Sequence, residues 1–273
     1  YGIQLDLGEE GKAWTFDVTD FLPLFNGTRR LTMERGGQWQ EEMDIKFLFI
    51  EGTPPREVMD IQHIWPFQRG WFADIQSDAV FEPRDVLLHP DGSHFELRSA
   101  ITGHGQNGEF TPRNHYLNIN GGVKEFNYDV WKYCGKNPIY PQGGTWIFDR
   151  AGWCPGMATD INILPITNAG AGEFVQIDYG VNGSFMDQAN YLVNNQLVTY
   201  GDWNYENNAS IEFIMRPNST QVEWERLNPA CSNPMVMVKN EGGNAITDLE
   251  FHYYVVDGTS ETYNWTGEIL PNQ

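Results

Sequence analysis

The stretch Asp149–Met157, DRAGWCPGM, puts an acid, a guanidinium, an indole and a thiol on a Gly-x-x-Pro-Gly skeleton. An aromatic face beside a guanidinium suits a sugar ring that carries an amide or carbonyl oxygen, with Trp153 and Arg150 in those two parts. The same string also reads as a structural loop in which Cys154 fixes the chain and Pro155-Gly156 turns it. A second cluster lies in EFTPRNHYLNIN. In an extended strand Glu109, Thr111, Arg113, His115 and Leu117 share one face. That sets a carboxylate, a guanidinium and an imidazole in a row, able to orient a polar substrate or exchange a proton. The plainer alternative is an exposed strand face laced with cross-strand ion pairs.

Other chemistries find less support. GHGQNG, Gly103–Gly108, fits G-x-G-x-x-G, but Pro112 and the alternation after it stand where a dinucleotide site needs a helix. It is expected to be a loop between strands. H-E-x-x-H, G-x-S-x-G and H-x-H are all absent. The six histidines (His63, His89, His94, His104, His115 and His252) are scattered, so no metal site and no cofactor is expected. The cysteines are Cys134, Cys154 and Cys231, with no C-x-x-C pair. Bridging Cys134 to Cys154 would close a loop of about 20 residues, worth roughly 3 kcal/mol by loop-closure entropy. Cys231 would then be free or paired outside this stretch.

The elements that must hold these residues alternate at period two. FELRSAIT, NHYLNING, EFVQIDYGV, NYLVNNQLVTY, SIEFIMR, PMVMVKN and DLEFHYYVV are short runs rich in β-branched and aromatic residues. Turn pairs at Asn26-Gly27, Asp91-Gly92, Asn107-Gly108 and Gly121-Gly122 separate them. No window keeps a helical period, although FDVTDFLPLFNG allows a short turn capped by Asp17 or Thr19 and limited by Pro23. An all-β protein of sandwiches is expected.

The order ITGHG, EFTPRNHYLNIN, CGKNPI, DRAGWCPGMA resembles the peptide-N-glycosidase F family of secreted bacterial amidases. FDVTDFLPLFNG followed by FLFIEGTPPREV resembles it upstream, so the likeness spans about residues 14–200. It implies tandem jelly-roll β-sandwiches, the first incomplete here, with a cleft active site. It implies hydrolysis of the amide joining asparagine to N-acetylglucosamine, without cofactor or metal, and a Cys134–Cys154 disulfide. Glu109 falls on the family's active-site glutamate, and Arg150 and Trp153 on its cleft arginine and tryptophan. Arg113 and His115 are expected as substrate contacts from the strand face they share with Glu109, not from the resemblance. Glu34 and Trp39 of MERGGQW correspond only out of register to a second glutamate and tryptophan. Nothing before Trp14 matches the stretch bearing the water-activating aspartate, and Asp6 does not carry it. That residue either precedes Tyr1 or is lost. Asn107 and Thr111 stand where the family has cysteines flanking the glutamate.

The expected organisation is the C-terminal part of a first jelly roll in 1–55, a second in 56–217, and a partial Ig-like module in 225–273. The chain is expected to be part of a longer secreted or surface-located bacterial protein, exported by a type IX route and meeting secretion or surface-assembly proteins. A complete processed domain is the alternative. Its partner is an N-glycan or glycoprotein. A net charge of −20 sets nucleic acid and anionic membrane surfaces aside. No apolar run reaches the roughly 18–20 residues of a membrane span, so no insertion is expected. A non-catalytic glycan-binding or adhesin protein on the same fold is the second hypothesis. A copper enzyme is a third, opposed by the missing H-x-H. Five N-x-[ST] sequons, at Asn26, Asn182, Asn208, Asn218 and Asn264, arise easily in an Asn-rich chain and carry no weight.

Overall fold

The computed structural model describes residues 7–33, 42–122, 126–137, 139, 142–218 and 233–273. Glu34, Trp39, Cys231 and Asp6 lie outside the described residues. Among the described residues thirteen strands dominate: β1 (Arg56–His63), β2 (Gln68–Trp71), β3 (Arg84–Leu87), β4 (His94–His104), β5 (Arg113–Ile119), β6 (Phe126–Val130), β7 (Ile161–Ile166), β8 (Phe174–Val181), β9 (Asn190–Trp203), β10 (Ala209–Arg216), β11 (Met235–Asn240), β12 (Ile246–Tyr254) and β13 (Ser260–Ile269). Two short α-helices, α1 (Phe72–Gln76) and α2 (Gln106–Phe110), and a 3-10 turn, Cys134–Lys136, interrupt the described strands. Among the described residues no helix is long and apolar enough to cross a membrane.

The chain divides into two compact units, each described by itself. The first is a sandwich of two antiparallel sheets, ordered β1-β9-β4-β7 and β3-β8-β5-β6, with β2 also on β9. Because β4 pairs along β9 from Asn190 to Tyr200, β1 and β2 share its other edge and form one broken strand. Counting them so, the sheets read 1-8-3-6 and 2-7-4-5, the strand order of a jelly roll.

Alternation explains why these runs become strands with one buried face. Phe95, Leu97 and Ile101 of β4 and Tyr191, Val193 and Leu197 of β9 face Leu117 and Ile119 of β5 and Val175, Ile177, Tyr179 and Val181 of β8 in one core. Each such burial contributes roughly 1.5–3 kcal/mol. The opposite face of the first sheet is partly covered from before β1. There a 3-10 turn, Thr19–Phe25, starts where Asp17 accepts bonds from the backbone and hydroxyl of Thr19. Phe21 then packs against Ile61, Val198 and Tyr200, while Asp20 accepts from Tyr200 Oη (2.7 Å) and pairs with Arg98. The described residues before Arg56 contain no strand. The second unit holds two antiparallel pairs, β10–β11 and β12–β13. Asn240 at the end of β11 donates through Nδ2 to the carbonyls of Asn244 and Ile269.

His115 belongs to the core. Fully buried, it shares a 2.8 Å hydrogen bond through Nδ1 with Tyr179 Oη and meets Tyr191 edge-on at 4.6 Å. Burial pushes its imidazole down to about 3. The folded ring therefore stays neutral while the unfolded one takes a proton near 6.5. Its contribution is complete above about pH 6.5 and is lost progressively as pH falls toward 3, at about 1.4 kcal/mol per pH unit. Urea titrations from pH 7 to 4 are expected to show this slope, flattened in His115→Gln. Equal slopes in the two proteins would assign the loss to other groups.

Candidate active site

The site is built where the loop after β4 meets Asp149–Trp153. Gly103 donates its N–H to Ala151 O (2.8 Å), and Ala151 returns one to Glu109 O (2.9 Å). A Cβ on Gly103 would lie 2.1 Å from Gly108 O and 2.5 Å from Ala151 Cβ, so only glycine allows this approach. Gly152 repeats the requirement, with φ +75° and a would-be Cβ 2.1 Å from Ile101 O. On its other side, Arg150 exchanges backbone bonds with Lys132 (2.7 and 3.1 Å). The disulfide expected from the resemblance joins Cys134 to Cys154. Cys134 N also donates to Asp149 Oδ1 (3.0 Å), so both ends of the loop are fixed.

This framework holds Arg150 with its side chain 2% exposed. Nη1 donates to Glu109 Oε1 at 2.6 Å, Nη2 to Thr145 O and Oγ1, and Nε to Phe148 O. The guanidinium lies over the rings of Trp153 (4.8 Å) and Phe110 (5.1 Å). Trp153 in turn donates Nε1–H to Gly103 O (3.0 Å) and stacks on His104, with centroids 5.8 Å apart. Glu109 remains 19% exposed at its side chain. Burial lifts its carboxyl above the ordinary range, against the opposing pull of Arg150. Burial also lowers Arg150 while Glu109 opposes the shift. His104 is pushed down to about 4 by burial and then by Arg69, which keeps it neutral near pH 7.

The structure thus brings Glu109, Arg150 and Trp153 together, but not through a shared strand face. Glu109 sits on α2, and β5 begins only at Arg113. Gly105 enters the turn at φ +73°, which breaks the extended backbone that the alternation predicts. Arg113 and His115 go elsewhere. Arg113 Nε donates to Met186 Sδ and its guanidinium lies over Phe72, while His115 is sealed in the core. The sequence did not single out His104, Thr145 or Phe110. His104 and Phe110 meet Trp153 and Arg150 only through tertiary pairing, whereas Thr145 lies five residues before Arg150 in the same loop. Among the described residues no group of three or more His, Cys, Asp or Glu could hold a metal ion.

Loop closure by the disulfide has a measurable weight. Replacing both Cys134 and Cys154 by serine is expected to lower unfolding free energy by about 3 kcal/mol. It should also shift Trp153 emission, since the loop carrying the indole loses its fixed end. An unchanged urea midpoint would show that Asp149 and the Lys132 backbone bonds suffice.

A family model described as peptide-N-glycosidase F, C terminal, matches residues 72–222. Peptide-N(4)-(N-acetyl-beta-D-glucosaminyl)asparagine amidase F of Elizabethkingia miricola is 26% identical over 184 residues, covering 60% of this chain and 51% of that protein. The chain therefore spans about half the length of that curated relative. Among solved structures, recombinant peptide:N-glycanase F aligns at 27% identity with a TM-score of 0.41, over 44% of this chain and 43% of that one. PNGase F described as a glycosylasparaginase from Flavobacterium meningosepticum aligns with the same identity, coverage and TM-score.

Proposed function

Because the chain belongs to the peptide-N-glycosidase F, C-terminal family, we propose that it hydrolyses the amide between asparagine and the first N-acetylglucosamine of an N-glycan. The observation that carries the proposal is the Glu109–Arg150 pair, a partly exposed carboxylate fixed at 2.6 Å by an almost fully buried guanidinium. Amide hydrolysis needs an activated water, stabilisation of the tetrahedral oxyanion and a proton for the leaving nitrogen. Glu109 is bonded to Arg150 through Oε1, and its exposed part orients the sugar amide or passes the proton. Arg150, buried beneath it, acts through Glu109 by setting its direction and charge. Trp153 holds Arg150 from the ring side and borders the sugar. The resemblance assigns water activation to an aspartate with no counterpart before Trp14, so the full-length protein is the one to test. On the same proposal the chain works outside the cell, where its disulfide persists.

The test is incubation of the full-length protein with a denatured N-glycoprotein, followed by mass spectrometry of the glycosylation site. Release of the whole glycan with conversion of asparagine to aspartate is the expected result. Intact glycoprotein would overturn the proposal.

A further inference from the structure

The outer face of the first sheet, turned away from the core, is divided. At one end the Thr19–Phe25 turn covers Arg98, Val198 and Tyr200. At the other end the register aligns Trp71, Asn190 and His104 across β2, β9 and β4. The adjacent row aligns Arg69, Leu192 and Thr102. Directly paired residues project from the same face of a sheet, so these side chains share one surface. Trp71 is 52% exposed. Arg69 Nη1 donates to Asn190 Oδ1, and Asn190 Nδ2 donates to the carbonyls of His104 (3.1 Å) and Gln188 (3.2 Å). Thr102 Oγ1 and His104 Nε2 share a hydrogen bond of 2.8 Å. None of these six residues is acidic, in a chain whose net charge is −20.

The strip is continuous with the site already described. His104, at one end of the row, stacks on Trp153, whose ring carries Arg150. Trp71, at the other end, is two interstrand spacings away, about 10 Å. An open indole face with a guanidinium beside it offers a pyranose its C–H contacts and hydroxyl partners, while Asn190, buried and fully bonded, holds that guanidinium in place. Arg69 and Trp71 also precede the residues matched by the family model, so that match assigns them no part.

We infer that the Trp71–Asn190–His104 row is a second sugar subsite, taking neutral residues of the glycan arm beyond those beside the asparagine. The inference rests on the amidase proposal for where the glycan begins. It is tested with the full-length protein on two glycopeptides, one bearing a high-mannose glycan and one trimmed to the two N-acetylglucosamines. Trp71→Ala is expected to raise KM about tenfold on the long glycan, equivalent to about 1.4 kcal/mol. It should leave kcat unchanged, and both constants unchanged on the short one. Trp71→Phe should recover most of the loss. An equal rise on both substrates, or none on either, would overturn the subsite. If the wild type turns over neither glycopeptide, the amidase proposal fails by itself. Calorimetry with the free high-mannose oligosaccharide then decides the subsite: binding weakened about tenfold by Trp71→Ala supports it, and no binding to the wild type rejects it.

Discussion

Glu109→Gln is expected to remove deglycosylating activity, a loss of at least 10²–10⁴-fold on the scale of a general acid–base group, while lowering the melting temperature less than Arg150→Met does. The two halves of this expectation have different causes. The amide oxygen of glutamine still accepts from Arg150 Nη1, and Thr145 and Phe148 still receive the other guanidinium donors, so the buried cation keeps its hydrogen-bond acceptors and loses only its counter-charge. What disappears is the negative charge and the proton-carrying capacity at the exposed part of the side chain. Rates on a denatured N-glycoprotein and a thermal melt of the same samples check both halves. Substantial residual turnover together with a fall of several degrees would show that Glu109 serves mainly to neutralise Arg150.

Arg150→Met is expected to be damaging in both respects. The partner left behind is a carboxylate that burial already disfavours, and its counter-charge is gone. Breaking a buried ion pair from one side costs about 3–5 kcal/mol. The partial exposure of Glu109 places this case near the lower limit. Thr145 O and Phe148 O lose donors as well. The pH dependence gives the cause a signature. Without Arg150 the folded-state pKa of Glu109 rises further above its unfolded value. A carboxyl shifted that way favours the fold while protonated and opposes it as pH rises through the folded pKa. The stability gap between wild type and Arg150→Met should therefore widen from acid to neutral pH. Urea midpoints at a series of pH values measure it. The double variant Glu109→Gln with Arg150→Met should be more stable at neutral pH than Arg150→Met alone, since it removes the unpaired charge. A gap independent of pH, with no rescue in the double variant, would attribute the damage to lost packing on Trp153 and Phe110.

Period-two alternation by itself determined the fold class, because it depends only on which side of a pleated chain each residue faces. The runs NHYLNING and EFVQIDYGV form strands as the alternation predicts, but the face shared by His115 and Leu117, read as polar or exposed, turns inward with Ile119, Val175, Ile177 and Tyr179. The turn chemistry of Asp17 and Thr19 was equally local, and a 3-10 turn starts there, although it runs through Pro23, which was expected to limit it. The motif string around DRAGWCPGM carried the family resemblance and the Cys134–Cys154 bridge. Alternation did not govern Glu109, because Gly105 takes a positive φ and α2 replaces the extended chain. The strand argument therefore joined Glu109 to Arg113 and His115, whereas the fold joins it to Arg150. Only tertiary structure decided the rest. Glu109 meets Arg150 and His104 meets Trp153 across 41 and 49 residues of sequence, and Trp71 lines up with Asn190 and His104 only through the β2-β9-β4 register. Spacing along a chain fixes which residues share a face within one element. Which elements lie side by side is set by the burial of all those faces together, and the candidate site exists only at that level.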